Sequence, residues 1–187
     1  LVGSEMCIRD RNNGGSLLAF SEHAPFDQAI NPLLRKFDIE SSIGTTVDTI
    51  NYESKYGPGM IKFENKNLNT NHPIVTGKYK VEKLVSFGGS ALLGSKYENI
   101  LKLDESSFNV KHSTGIGPEG KGNSQGLAGM YGSGKIAAFG DSNGFTAMVF
   151  NMDDGTKMYA GMNTEGYDWK NFAVSYTHLR AHETKCY

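Results

Sequence analysis

Gly140-Asp141-Ser142-Asn143-Gly144 is where this chain comes nearest to declaring a chemistry. The five residues fit G-x-S-x-G, the pattern in which a sharp strand-to-helix turn lifts a serine hydroxyl above a sheet as a nucleophile. Such a serine needs a base to take its proton. The histidines downstream, His178 and His182, fall in a C-terminal segment of unlike character, so the base would have to be His23, with Glu22 beside it. Ser142 and His23 are therefore the catalytic candidates of a hydrolase. Glu22, His23 and Asp141 also offer the carboxylate and imidazole donors that hold a divalent cation. A plainer reading stands against both: the two glycines permit a tight turn, Asp141 or Ser142 caps the next helix, and nothing is attacked.

Other spacings are less persuasive. Gly129 to Lys135 fits G-x-x-x-x-G-K, but Ile136 follows where a magnesium-holding hydroxyl is needed. A strand also follows where a phosphate-cradling helix is required, so a hairpin turn explains the stretch better. His72, before Pro73, reads as a loop-to-strand turn, and His112 as a loop residue. Tyr167, Trp169 and Phe172 have the residue types of a sugar-stacking groove, yet beside a starting helix their spacing is that of core and rim.

The elements that must position these groups are two short apolar runs. Ser16-Leu17-Leu18-Ala19-Phe20 has the length of a buried parallel strand and ends in the turn Ser21-Glu22-His23-Ala24-Pro25. Behind it Phe26, Ile30, Leu33, Leu34 and Phe37 recur at three- and four-residue spacing, predicting a helix kinked or restarted at Pro32. Strand, turn and helix make the βα unit of a parallel sheet. Ile136-Ala137-Ala138-Phe139 is the second run. With Gln125–Tyr131 it flanks Gly132-Ser133-Gly134, which is turn chemistry for a hairpin. Residues 40–76 read as a long excursion with a helical turn or two. Tyr79–Phe87, broken by Gly88-Gly89, and Ile100–Leu103 read as strands, and Ser106–Gly126 as a mobile surface loop. Asp168–Val174 reads as the opening of a helix.

Both ends have a different origin by resemblance. Leu1–Arg11 and Ser175–Tyr187 resemble the peptides obtained when sequencing-library adapter DNA is translated in frame, and are set aside as artefactual tails. The zinc-like spacing of His178, His182, Glu183 and Cys186 goes with them. So do both cysteines, Cys7 and Cys186, leaving no disulfide and no thiolate nucleophile between 12 and 174. That segment suits one domain. The chain carries 19 Lys and Arg against 20 Asp and Glu, a net charge of −1. Nothing in it advertises nucleic acid, and no run of ~18 apolar residues spans a membrane. Cellular address stays open, an envelope or secreted one included, because the true N-terminus is read as missing.

Three stretches carry a family resemblance: GGSLLAFSEHAPF (14–26), NHPIVTG (71–77), and SQGLAGMYGSGKIAAFGDSNGFTAMVF (124–150) with AGMNTEGYDWKNFA (160–173). In this order they resemble uncharacterised bacterial domains placed with the class I glutamine-amidotransferase-like superfamily, near auxiliary domains of gliding-motility transport and intraflagellar-transport proteins. The resemblance implies a flavodoxin-like, mostly parallel α/β sheet, truncated at its N-terminus, with the hairpin as an addition. Catalytic members have a cysteine at a strand-to-helix turn and a histidine after a later strand. Here Glu22-His23 stand at the first place and Asp141-Ser142 near the second, which implies a pseudoenzyme and not a glutamine amidotransferase. Both turns would lie at the carboxyl ends of neighbouring parallel strands, where open α/β sheets bind ligands. Glu22, His23, Asp141, Ser142 and Asn143 would then line one crevice. Asn163, within a motif the resemblance keeps, joins them as a pocket residue. Missing upstream strands would leave an edge strand unpaired.

The expectation is a non-catalytic ligand-binding or interaction domain, without a cofactor, serving a small molecule or a protein within a larger multidomain parent. The alternative is a hydrolase using Ser142 with His23, or a metal held by Glu22, His23 and Asp141. A third reading is a structural module, whose sign would be a crevice filled by the chain itself.

Overall fold

A computed structural model describes residues 2–111, 115–116 and 123–181. The chain opens with α1 (Val2–Asn12), runs along β1 (Ser16–Phe20) and returns as α2 (Asp27–Leu34), which tightens to a 3-10 turn at Arg35–Phe37. Pro32 lies inside α2 without ending it. Three short strands follow: β2 (Glu40–Ser41), β3 (Thr45–Asp48) and β4 (Lys62–Glu64). After the single turn of α3 (Pro73–Thr76) come β5 (Lys83–Val85), β6 (Leu92–Leu93) and β7 (Glu98–Lys102). Next are β8 (Ser107–Lys111), β9 (Gly115–Ile116) and the longer strands β10 (Ser124–Tyr131) and β11 (Gly134–Phe139). A small hairpin, β12 (Val149–Asn151) with β13 (Lys157–Tyr159), precedes α4 (Trp169–Ala181).

This is not the helix-flanked, mostly parallel flavodoxin-like sheet that the resemblance implied. The main sheet runs β1-β11-β10-β6-β2, with β7 also on β10. Among the described residues only β1 with β11 is parallel in it; β10 is antiparallel to β11, β6 and β7, and β2 to β6. The sheet is mixed and strongly curled. The hairpin expected as an addition is instead its centre.

Burial explains the difference. Ile136 and Ala138 pack with Leu34, Phe37, Ile39 and Leu127 on one face. Ala137 and Phe139 pack with Phe63, Leu84, Trp169 and Phe172 on the other. A strand covered on both faces loses its apolar–polar alternation whichever way its neighbours run. The continuous apolar run therefore reports two-sided burial and says nothing of strand direction.

The supposed excursion 40–76 and loop 106–126 also hold strands. β3 pairs with β8, and β8 with β9, in a separate small sheet. Of the residues weighed above, His112, His182, Glu183 and Cys186 lie outside the described residues. α4 runs unbroken through Val174 and Ser175, and Ser175 and Tyr176 are buried. Among the described residues no helix is long and apolar enough to cross a membrane.

Candidate functional site

Parallel pairing sets Phe20 opposite Phe139, so the chain leaves β1 and β11 at one level. Ser21 N–H still donates to Phe139 O at 2.7 Å. Beyond it the two turns meet. Glu22 Oε2 accepts from the Ser142 hydroxyl (2.6 Å), the Ser142 N–H (3.2 Å) and Asn143 Nδ2 (3.2 Å). Glu22 Oε1 accepts from the His23 N–H at 3.1 Å. Asp141 is buried, with Oδ2 accepting from Phe87 N–H (2.5 Å) and Oδ1 from Asn143 N–H (2.8 Å). Burial pushes the Asp141 carboxyl up to about 6, and the Glu22 carboxylate pushes the same way. The two N–H donors pull against that rise but do not cancel it.

The segment between β5 and β6 crosses over both turns. Ser90 N–H donates to Gly140 O at 2.7 Å. The Ser90 hydroxyl oxygen lies 2.7 and 2.6 Å from the carbonyl oxygens of Glu22 and Gly44, its one proton serving one of them at a time. Asn143 Nδ2 reaches Phe87 O at 3.5 Å. A Cβ on Gly140 would run into the Ser90 carbonyl, and one on Gly89 into the Gly140 carbonyl and the Asp141 side chain. Only glycine lets these backbones touch. A Cβ on Gly144 would meet the Trp169 indole. Close packing thus accounts for both glycines of G-x-S-x-G.

Ser142 does not sit on a nucleophile elbow. The 3-10 turn Asn143–Phe145 follows it, where an elbow needs a helix. Asp141 supplies the cap, while the Ser142 side chain makes no cap bond. The proton a histidine would have to take is given to Glu22, which already accepts two N–H donors. His23 donates from Nδ1 to Ala24 O at 2.8 Å, and its ring stands edge-on to Phe26. Asn163 is exposed at the end of the 3-10 turn Gly161–Asn163, apart from these hydrogen bonds. That turn packs against the one at Asn143–Phe145, with Met162 N–H donating to Thr146 O at 2.7 Å. Among the described residues no group of three His, Cys, Asp or Glu is placed to hold a metal ion. Trp169 and Phe172 are core, with Trp169 Nε1 donating to Val85 O (2.8 Å), and half-buried Tyr167 donates to Glu53.

No protein-family model matches the chain, and no curated protein matches it by sequence. Among solved structures it is similar to the "mmIFT52 N-terminal domain", with a TM-score of 0.58 over 95% of this chain and 70% of that chain at 16% identity. The fold is like that of the IFT52 N-terminal domain. At this identity the likeness speaks for fold alone. It corrects the placement with the class I glutamine-amidotransferase-like superfamily: the mixed, curled sheet has an IFT52 domain as its neighbour and offers nothing amidotransferase- or flavodoxin-like. Reading Glu22-His23 as the relic of a cysteine site, and the chain as a pseudoenzyme, falls with it.

Sequence reasoning missed Phe87, Gly89 and Ser90, the residues that close the crevice. Gly88-Gly89 carried the available signal. Two glycines between buried runs mark a close backbone approach as readily as a strand end.

Proposed function

We propose that the chain is a non-catalytic protein-interaction domain on an IFT52-type fold. The observation that carries this reading is the occupied crevice. The chain's own residues Phe87–Ser90 lie across the ends of β1 and β11, and the Ser142 proton is committed to Glu22. Similarity to an IFT52 N-terminal domain supports an interaction or adapter role over an enzymatic one. In this reading half-buried Glu22, His23, Ser142 and Asn143, with exposed Asn163, form the polar rim that meets a partner. Asp141 stays inside as the post that fixes the rim.

The test is to incubate the full chain with ester, amide and glycoside reporter substrates and with a serine-reactive phosphonate probe. No turnover or labelling that depends on Ser142 or His23 is expected. Turnover lost in both Ser142→Ala and His23→Ala would overturn the proposal.

A further inference from the structure

At the other end of the same strands the sheet is hollowed. β1 and β11 begin beside a cavity of about 360 Å³, within the size range of small-molecule sites. Small residues make its floor. Ala128 and Ala137 are direct partners across the β10–β11 pair and present only methyl groups to the cavity, and the Gly129 backbone borders it beside them. Ile74 beside α3's start and Tyr176 of α4 are its walls. Ser16 and Met130 are both register partners of Lys135, which sets the three in one row on the same face as Ala128 and Ala137.

His72 and Glu98 also line it, with Asn71 beside His72. His72 Nδ1 accepts the Ile74 N–H at 3.2 Å. A backbone N–H can only donate, so the proton of the neutral ring sits on Nε2. Burial lowers the His72 pKa below the usual imidazole value; Glu98 works against that and Lys135 with it. An apolar bed is thus bordered by one cation, one anion and one neutral N–H donor, with the Ser16 hydroxyl and the Asn71 amide as further polar groups.

We propose that this cavity binds a free apolar α-amino acid, with its side chain over Ala128 and Ala137, its carboxylate toward Lys135 and His72, and its ammonium toward Glu98. One charge of each sign complements a zwitterion, whereas a simple carboxylate would leave Glu98 without a counter-charge from the ligand. The bed of alanine, glycine and isoleucine favours an apolar side chain over a polar one, which would give up its water against methyl groups. Every residue named for the site except Tyr176 lies between 12 and 174. The cavity is at the opposite strand ends from the Glu22–Ser142 crevice, so neither proposal rests on the other.

The experiment titrates the full chain with L-leucine and with 4-methylpentanoate, which lacks only the ammonium, following amide shifts and the His72 ring by NMR. Leucine should give saturable shifts at Gly129, Met130 and Ala137 and should raise the His72 titration midpoint as its carboxylate settles near the ring. Lys135→Ala and Glu98→Gln change exposed side chains, should leave the thermal melt unchanged, and should each weaken leucine about tenfold or more. 4-Methylpentanoate should bind more weakly than leucine and be no weaker in Glu98→Gln. The proposal is overturned if leucine at millimolar concentration moves none of these amides, or if both variants bind it as the parent does. Equal affinity for leucine and 4-methylpentanoate overturns the zwitterion assignment.

Discussion

Asp48 and Asp141 are 1% and 4% exposed, yet their carboxyls move in opposite directions. Asp48, at the end of β3, accepts from the N–H groups of Ile50 (2.8 Å) and Asn51 (2.9 Å) and the hydroxyls of Ser106 (2.9 Å) and Ser107 (3.0 Å). Burial pushes its pKa up, but those four donors outweigh burial and hold it below the usual aspartate value. Asp141 has two backbone donors and a neighbouring carboxylate, and settles at about 6. Asp141 lies deeper inside the protein than Asp48, so depth of burial, the donor count and the sign of the neighbour decide the direction together. A raised carboxyl in a crevice ordinarily flags chemistry. Here it marks a joint where two turns and a crossing segment were fitted together with fewer donors than a finished turn provides.

The comparison can be broken by mutation, beginning with its stronger side. Asp48→Ala strands two N–H groups and two hydroxyls and should cost about 3–5 kcal/mol in urea unfolding. Asp141→Ala strands the Phe87 and Asn143 N–H groups, takes the carboxylate away from the buried Ser86 hydroxyl and relieves Glu22, so about 2–3 kcal/mol is expected. A larger loss at Asp141 than at Asp48 would invert the ranking on which the comparison stands.

Titration sharpens it. Because the folded value of Asp141 lies above the unfolded one, the native state binds that proton more readily. Its contribution to stability is greatest at acid pH and falls as pH rises from about 4 through about 6, by of order 2–3 kcal/mol. Asp48 runs the other way: its contribution is present above the ordinary aspartate value and is lost as pH falls through the lowered one. Glu22→Gln removes the neighbouring charge and should bring the Asp141 midpoint down, which carboxyl NMR can follow. An unmoved midpoint would leave burial as the sole cause. Ser142→Ala should have the smallest effect, about 0.5–1.5 kcal/mol, since it removes one hydroxyl bond to a half-buried carboxylate. A loss matching that of Asp141→Ala would make Ser142, and not Asp141, the post of the joint.

Parts of this arrangement were legible in the sequence. Ser16–Phe20 and Ile136–Phe139 are strands because short apolar runs bounded by turn residues have few other uses. The spacing of Ile30, Leu33, Leu34 and Phe37 gave α2 and its 3-10 end. Strand direction was not legible, since two-sided burial gives one pattern for both directions. Nor was β3, whose buried Thr46 and Asp48 look like loop residues until their partners arrive. Those partners are Asn109 and Ser107, 63 and 59 residues away in sequence. Glu22 and Ser142 meet across 120 residues, a contact no local spacing encodes. The closure by Phe87–Ser90 escaped notice because hydrogen bonds from a main chain leave little trace in residue type.

Amide hydrogen exchange at Phe87 and Ser90 tests most directly whether the crevice is closed by the chain itself. If the segment is clasped onto Asp141 and Gly140, both amides should be protected to nearly the level of Ala138 in β11, and Phe87 should lose protection in Asp141→Ala. Exchange of either amide near the rate of an unstructured chain would contradict closure and return the Glu22–Ser142 crevice to the list of open sites.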